Sequence, residues 1–105
     1  MQNRQNTLVI DTTRSGLAVV KLQTAKSELI LESKQQLGSQ ALLGLIKQAF
    51  KKGGIKPEAL NQIQVITGPG SFTGIRIGLA VANALGFALN IPVNGKAIET
   101  TAIYA

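Results

Sequence analysis

The spacing of apolar positions changes along the chain, and each change marks an element. Residues 7–11 (Thr-Leu-Val-Ile-Asp) form a continuous apolar run that ends on an acid, the pattern of a strand covered on both faces. Arg14-Ser15-Gly16 supply a turn into a second strand at residues 17–22, and residues 24–27 supply another. Across residues 28–34, Leu29, Leu31 and Ser33 alternate with Glu28, Ile30, Glu32 and Lys34, as in a half-exposed outer strand. Three strands on short links predict an antiparallel meander.

The spacing then becomes helical. Ser39 is a candidate N-cap for a helix over residues 40–52, where Leu42, Leu43, Ile46, Ala49 and Phe50 make a wide apolar face. Leu45 falls outside that stripe, which suggests a second covered side. Lys51 and Lys52 suit the negative end of the helix dipole, and Gly53-Gly54 ends it. Residues 57–60 read as a short helical turn. Residues 62–67 read as a fourth strand, parallel to the first through a right-handed crossover. A short fifth strand is expected at residues 92–94, and residues 98–104 look like the start of a third helix. This order predicts an α/β fold: a ribonuclease-H-like lobe, the unit that actin-like ATPases duplicate. Its sheet should be mixed and five-stranded, in the order 3-2-1-4-5, with residues 1–105 as a single lobe.

The stretch over residues 64–90 dominates the chain. An apolar strand end enters Gly68-Pro69-Gly70, and a helix of about 17 residues, roughly 25 Å long, follows. Ser71 and Thr73 are its candidate N-caps, and Asn90 with Pro92 marks its end. Its one charge is Arg76, and Asn83 lies on the same seam. Gly74, Gly78, Ala82 and Gly86 recur every four residues as a ridge of small side chains. Helical glycine costs about 0.8–1 kcal/mol against alanine, so Gly78 and Gly86 together give up roughly 2 kcal/mol that packing must offset. The ridge is expected to face a second helix, a partner's in particular, ahead of the alternative of burial against the chain's own sheet. Arg76 reads equally as a solvated charge or, at an interface, as an ion-pair anchor. On that reading, Leu at Gly78 or Ala82 should weaken association.

Composition narrows the chemistry. The 105 residues suit one core, and they include neither Cys nor His. Thiol nucleophiles, disulfides and His-based acid–base catalysis are thereby excluded, and no metal site or cofactor is expected. The start, Met1-Gln-Asn-Arg-Gln-Asn, is polar rather than patterned as a signal peptide, so a cytoplasmic location without membrane attachment is expected. Net charge is +6, but the cations are scattered and lack interleaved aromatics, which predicts only weak or indirect RNA contact.

Two turns carry candidate phosphate chemistry. Gly68, Gly70 and Ser71 lead into a helix N-terminus but lack the Gly-Lys-Ser/Thr ending of a P-loop, so a structural turn that sets the helix angle is expected ahead of a phosphate site. Asp11 and Thr12 end the first strand, where an actin-like ATPase places a metal-facing acid. One carboxylate without acidic companions is a poor Mg²⁺ ligand set, so nucleotide hydrolysis by this chain alone is not expected.

The runs Leu8-Val9-Ile10-Asp11-Thr12-Thr13, Ala41-Leu42-Leu43-Gly44-Leu45-Ile46 and, above all, Gly68-Pro69-Gly70-Ser71-Phe72-Thr73-Gly74-Ile75-Arg76-Ile77-Gly78 resemble the TsaB (YeaZ) family. The resemblance covers nearly the whole chain. It implies a non-catalytic scaffold or dimerisation subunit of the machinery that makes threonylcarbamoyladenosine at position 37 of tRNA. The implied partners are a TsaD-type catalytic subunit, joined through a helical bundle, and a TsaE-type ATPase, with homodimers in isolation. Mapped here, the interface would use Leu42, Leu43, Ile46, Phe50, Gly74, Ile75, Arg76, Gly78, Leu79, Ala82 and Gly86. This chain has Gly38 where members usually have His, and members usually continue into a second lobe. The rival reading is an actin-like nucleotide-binding phosphotransferase or ATPase, followed by a small RNA-binding module.

Overall fold

A computed structural model describes residues 6–34 and 38–96. In chain order the elements are β1 (Thr7–Asp11), β2 (Ala18–Gln23), β3 (Glu28–Ser33), α1 (Ser39–Gly53), β4 (Gln62–Val65) and α2 (Phe72–Leu89). A 3₁₀ turn at Pro57–Ala59 precedes β4. The sheet order is β3-β2-β1-β4. β1 is antiparallel to β2 and parallel to β4, so the most apolar strand lies inside the sheet, as its unbroken run requires.

Register sorts the two faces. Leu8 pairs with Leu22 and Ile63, and Ile10 with Val20 and Val65, so these side chains share one face. All are buried, and both helices pack on them. α1 lies over β2 and β3, α2 lies over β4 and β1, and the helices touch each other. On the opposite face Val9, Lys21, Ile30 and Gln64 line up, and Ile30 is exposed. β3 alternates between exposed and half-buried positions, as an edge strand should.

The expected fifth strand is reduced to a bridge. Val93 pairs with Ile63 in the parallel sense, with Ile63 N–H donating to the Pro92 carbonyl at 3.0 Å and Asn94 N–H to the Ile63 carbonyl at 2.8 Å. Asn94 then adopts a left-handed conformation (φ 52°) that turns the chain away. Its side-chain amide takes the next rung itself: Oδ1 accepts from Val65 N–H at 2.9 Å, and Nδ2 donates to the Val65 carbonyl at 3.0 Å. A side chain thus satisfies β4 where a longer strand would have done so, and the sheet has four strands rather than five. The third helix expected at residues 98–104 lies outside the described residues.

Both helices differ from expectation in which face they bury. In α1 the buried stripe is Leu42, Leu45, Ile46, Ala49 and Phe50, an i, i+3, i+4, i+7, i+8 series. Leu45 is therefore a core residue, while Leu43 is 40% exposed. The N-cap is Gly38 without a side-chain bond, and Ser39 is already helical. Gly54 ends the helix in a left-handed conformation, donating to the Phe50 carbonyl at 2.9 Å.

α2 has the expected ends: Ser71 Oγ accepts from Gly74 N–H at 3.1 Å, and Asn90 caps the C-terminus with φ 57°. By length and composition alone α2 could cross a membrane, but here its small ridge is seated on the sheet. The expected neighbour of that ridge is corrected. A Cβ at Gly74 would meet the Thr12 carbonyl, and one at Gly78 would meet the Thr12 hydroxyl and Val65. One at Gly86 would lie 2.5 Å from Val93 Cγ2. The close approach is to this chain's own residues, at Thr12 just beyond β1, Val65 of β4 and Val93 of the bridge, because α2 lies low over the sheet at the strand ends.

Leu at Gly78 or Ala82 is therefore expected to destabilise the chain itself rather than a dimer, by about 1–3 kcal/mol from overpacking. Urea denaturation at a concentration where the chain is monomeric checks this. An unchanged midpoint would contradict the packing.

Candidate partner interface

Where β1 ends, the chain runs across the start of α2 and is tied to it. Thr12 is fully buried, and its hydroxyl donates to the Gly74 carbonyl at 2.6 Å. The Thr13 carbonyl accepts from Ser71 N–H at 2.7 Å. Asp11 Oδ1 accepts from both the Thr13 N–H at 3.0 Å and the Thr13 hydroxyl at 2.7 Å. The turn between β4 and α2 contains a cis Gly68-Pro69 bond. Gly70 adopts φ 156°, and a Cβ there would run into the Thr13 carbonyl, so only glycine fits. The structure thus brings Asp11, Thr12, Gly70 and Ser71 together, with Gly68 in the same turn. What they form is a set of mutual hydrogen bonds that fixes the helix start. Among the described residues, no three His, Cys, Asp or Glu side chains gather into a potential metal site.

The other side of α2 is open. Between the helices runs an apolar groove of about 430 Å³, lined by Leu43 and Ser39 of α1 and by Ala80, Ala84, Leu85 and Ala88 of α2. Beyond it Phe87 is 82% exposed and Phe72 is 54% exposed. The Arg76 guanidinium stacks over the Phe72 ring, 5.2 Å from its centroid. Phe72, Arg76, Leu79, Asn83 and Phe87 fall at helical spacing along this outer side.

Of the side chains expected at an interface, Leu43, Arg76 and Leu79 reach the surface. Leu42, Ile46, Phe50, Gly74, Ile75, Gly78, Ala82 and Gly86 are buried within the chain. Ala80, Ala84 and Ala88, a second row of small residues at the same four-residue spacing, are not among the residues expected from the sequence. Nor are Phe72 and Phe87, although their position away from the glycine ridge is the signal that marks them.

Residues 32–97 match the family model described as TsaD: tRNA N6-adenosine threonylcarbamoyltransferase. The "tRNA threonylcarbamoyladenosine biosynthesis protein TsaB" of Bacillus subtilis is 33% identical over 98 residues, covering 90% of this chain and 42% of that protein. Among solved structures, YeaZ from Pseudomonas aeruginosa superposes with a TM-score of 0.78 at 31% identity, covering 85% of this chain and 42% of that one. The chain belongs to the TsaB/YeaZ family. Likeness to a named transferase is narrower. A "tRNA N6-adenosine threonylcarbamoyltransferase" of Nitrosospira multiformis is 44% identical over 54 residues, 51% of this chain and 16% of that protein. The chain spans less than half the length of these TsaB and YeaZ relatives, and its four-stranded mixed sheet with two helices carries the α/β fold of YeaZ.

The strand–helix junction sets the angle of α2, so its bonds should register in stability. Ser71→Ala is expected to cost about 1 kcal/mol through the lost cap, and Thr12→Val about 0.5–1.5 kcal/mol through the lost buried bond. Denaturant midpoints measure both, and midpoints equal to the parent's would contradict these roles.

Proposed function

We propose that this chain is a non-catalytic scaffold subunit in the synthesis of threonylcarbamoyladenosine on tRNA. It pairs with a TsaD-type catalytic subunit through the outer faces of α1 and α2, and with a second copy of itself when that subunit is absent. A TsaE-type ATPase is a further candidate partner, and the cytoplasm, where tRNA is modified, is the expected location. The observation that carries this reading is the apolar groove between α1 and α2, flanked by the exposed Phe72 and Phe87 rings. A large apolar patch of this kind is the mark of an interaction surface. Family membership supplies the pathway: relatives named for tRNA threonylcarbamoyladenosine biosynthesis match along most of the chain.

The composition supports a structural rather than a chemical role. No Cys or His is available as nucleophile or base. At the end of β1, the Asp11 carboxylate is engaged by Thr13.

Pairing depends on apolar contact at the groove. Phe87→Ala should remove about 1.5–3 kcal/mol, roughly ten- to a hundredfold in affinity, and Ala84→Asp should abolish pairing by placing a charge in the groove. Both positions are exposed, so the fold should survive. Co-purification with a TsaD-type subunit and sedimentation of the chain alone provide the readout. Retention of both associations in both variants would overturn the reading. For the rival phosphotransferase or ATPase, calorimetry with Mg²⁺ and ATP is decisive. No binding heat is expected, and micromolar binding by the isolated chain would favour the rival.

A further inference from the structure

We propose that the end of the lobe formed by the C-terminal turn of α1 and the β2–β3 turn is a contact site for the phosphate backbone of RNA. This rests on the pathway assigned above but not on the groove. The chain's positive charge, scattered in sequence, gathers here. α1 carries Lys47, Lys51 and Lys52 and no acid. Its last residue, Gly53, lies over the same end of the sheet as the β2–β3 turn: a Cβ there would sit 2.6 Å from Leu22 Cδ2 and 3.9 Å from Leu29 Cδ2. An open hollow of about 410 Å³, with a mixed polar and apolar lining, joins the two segments, with Thr24, Lys26 and Ser27 on one side and Gly53, Gly54 and Ile55 on the other. Lys56 follows directly.

Lys26, Lys47, Lys51, Lys52 and Lys56 are all exposed, and none forms an ion pair among the described residues. The nearby acids are Glu58 and Glu28, and the Glu28 carboxylate accepts from Gln23 Nε2 at 2.8 Å. Lys47 and Lys51 are one helical turn apart, with Cβ atoms about 5–6 Å from each other, so neighbouring cations stay well within a Debye length of roughly 8 Å. Closely spaced lysines without aromatic neighbours suit phosphate positioning rather than base reading. Along α1 the lysine site adjoins the groove rather than overlying it: Lys47 and Lys51 continue the Ser39–Leu43 row toward the C-terminal turn, beyond the groove's lining.

The test is fluorescence anisotropy of a labelled unmodified tRNA with the full 105-residue chain across a salt series. Each neutralised phosphate contributes about 0.7–0.9 to the slope of log affinity against log salt, so four to five lysines should give a slope of about −3 to −4. The double variant Lys51→Gln, Lys52→Gln should flatten the slope by about 1.5. Arg14→Gln with Lys34→Gln, at the opposite end of the sheet, should leave it unchanged. An equal slope in the Lys51, Lys52 variant would overturn the proposal, as would an equal loss in the control variant. Binding of polyglutamate at these lysines without binding of tRNA would overturn it in favour of an acidic protein partner. Ala84→Asp separates the two readings. Lost pairing with RNA affinity intact leaves both standing; intact pairing with salt-dependent RNA binding sinks the scaffold interface alone.

Discussion

The buried Thr12 hydroxyl donates to the Gly74 carbonyl at 2.6 Å, and that distance requires the backbone of α2 to lie almost on the loop that leaves β1. No residue with a side chain fits at Gly74 or Gly78 at this separation, because Thr12 already fills the space. The first half of the four-residue repeat of small side chains follows from this constraint, and Val93 imposes the same demand at Gly86. The cost of placing glycine inside a helix follows as well, and it is offset where the helix touches its own sheet. The bond between Thr13 and Ser71 and the cap from Ser71 to Gly74 hold the same junction from the other side.

Seating α2 by its glycine ridge decides what the rest of the helix must do. Apart from the seam of Arg76 and Asn83 the sequence is apolar or small on every side, and a helix of that kind is normally covered on more than one side. With one face on the sheet, the row Ala80, Ala84, Ala88 faces a groove beside α1, and Phe87 projects into solvent. The surplus of apolar side chains has therefore not been absorbed by the lobe. It has been turned to the side where α1 also offers Leu43. Folding uses one face of this helix, and the proposed recognition uses the opposite one.

Much of this was legible in the sequence, for identifiable reasons. The β1 run, the alternation of Glu28 to Ser33 and the caps at Ser71 and Asn90 are local signals, and local signals survive into the structure. The failures involve long-range facts. Which of two small-residue rows in α2 faces inward depends on the Thr12 loop, 62 residues earlier in the chain than Gly74. Leu43 and Leu45 look alike in a helical pattern until the sheet selects one. The fifth strand failed because Asn94 pairs with Val65 through its side chain, a substitution that alternation of apolar residues does not reveal. The lysines at the end of α1 looked dispersed because Lys26 reaches them only through the fold.

The central claim is that the alanine row of α2 faces a partner while the glycine ridge faces the sheet. The chain has no cysteine, so a single introduced thiol is a clean probe. Alkylation rates of Ala84→Cys and Ala82→Cys, measured alone at low concentration and again with a TsaD-type subunit, test the claim most directly. The Ala84→Cys thiol should react freely alone and be protected in the complex, while the Ala82→Cys thiol should react slowly in both. An Ala84→Cys thiol that stays equally reactive in the complex, or an Ala82→Cys thiol that reacts faster in the isolated folded chain, would contradict the account.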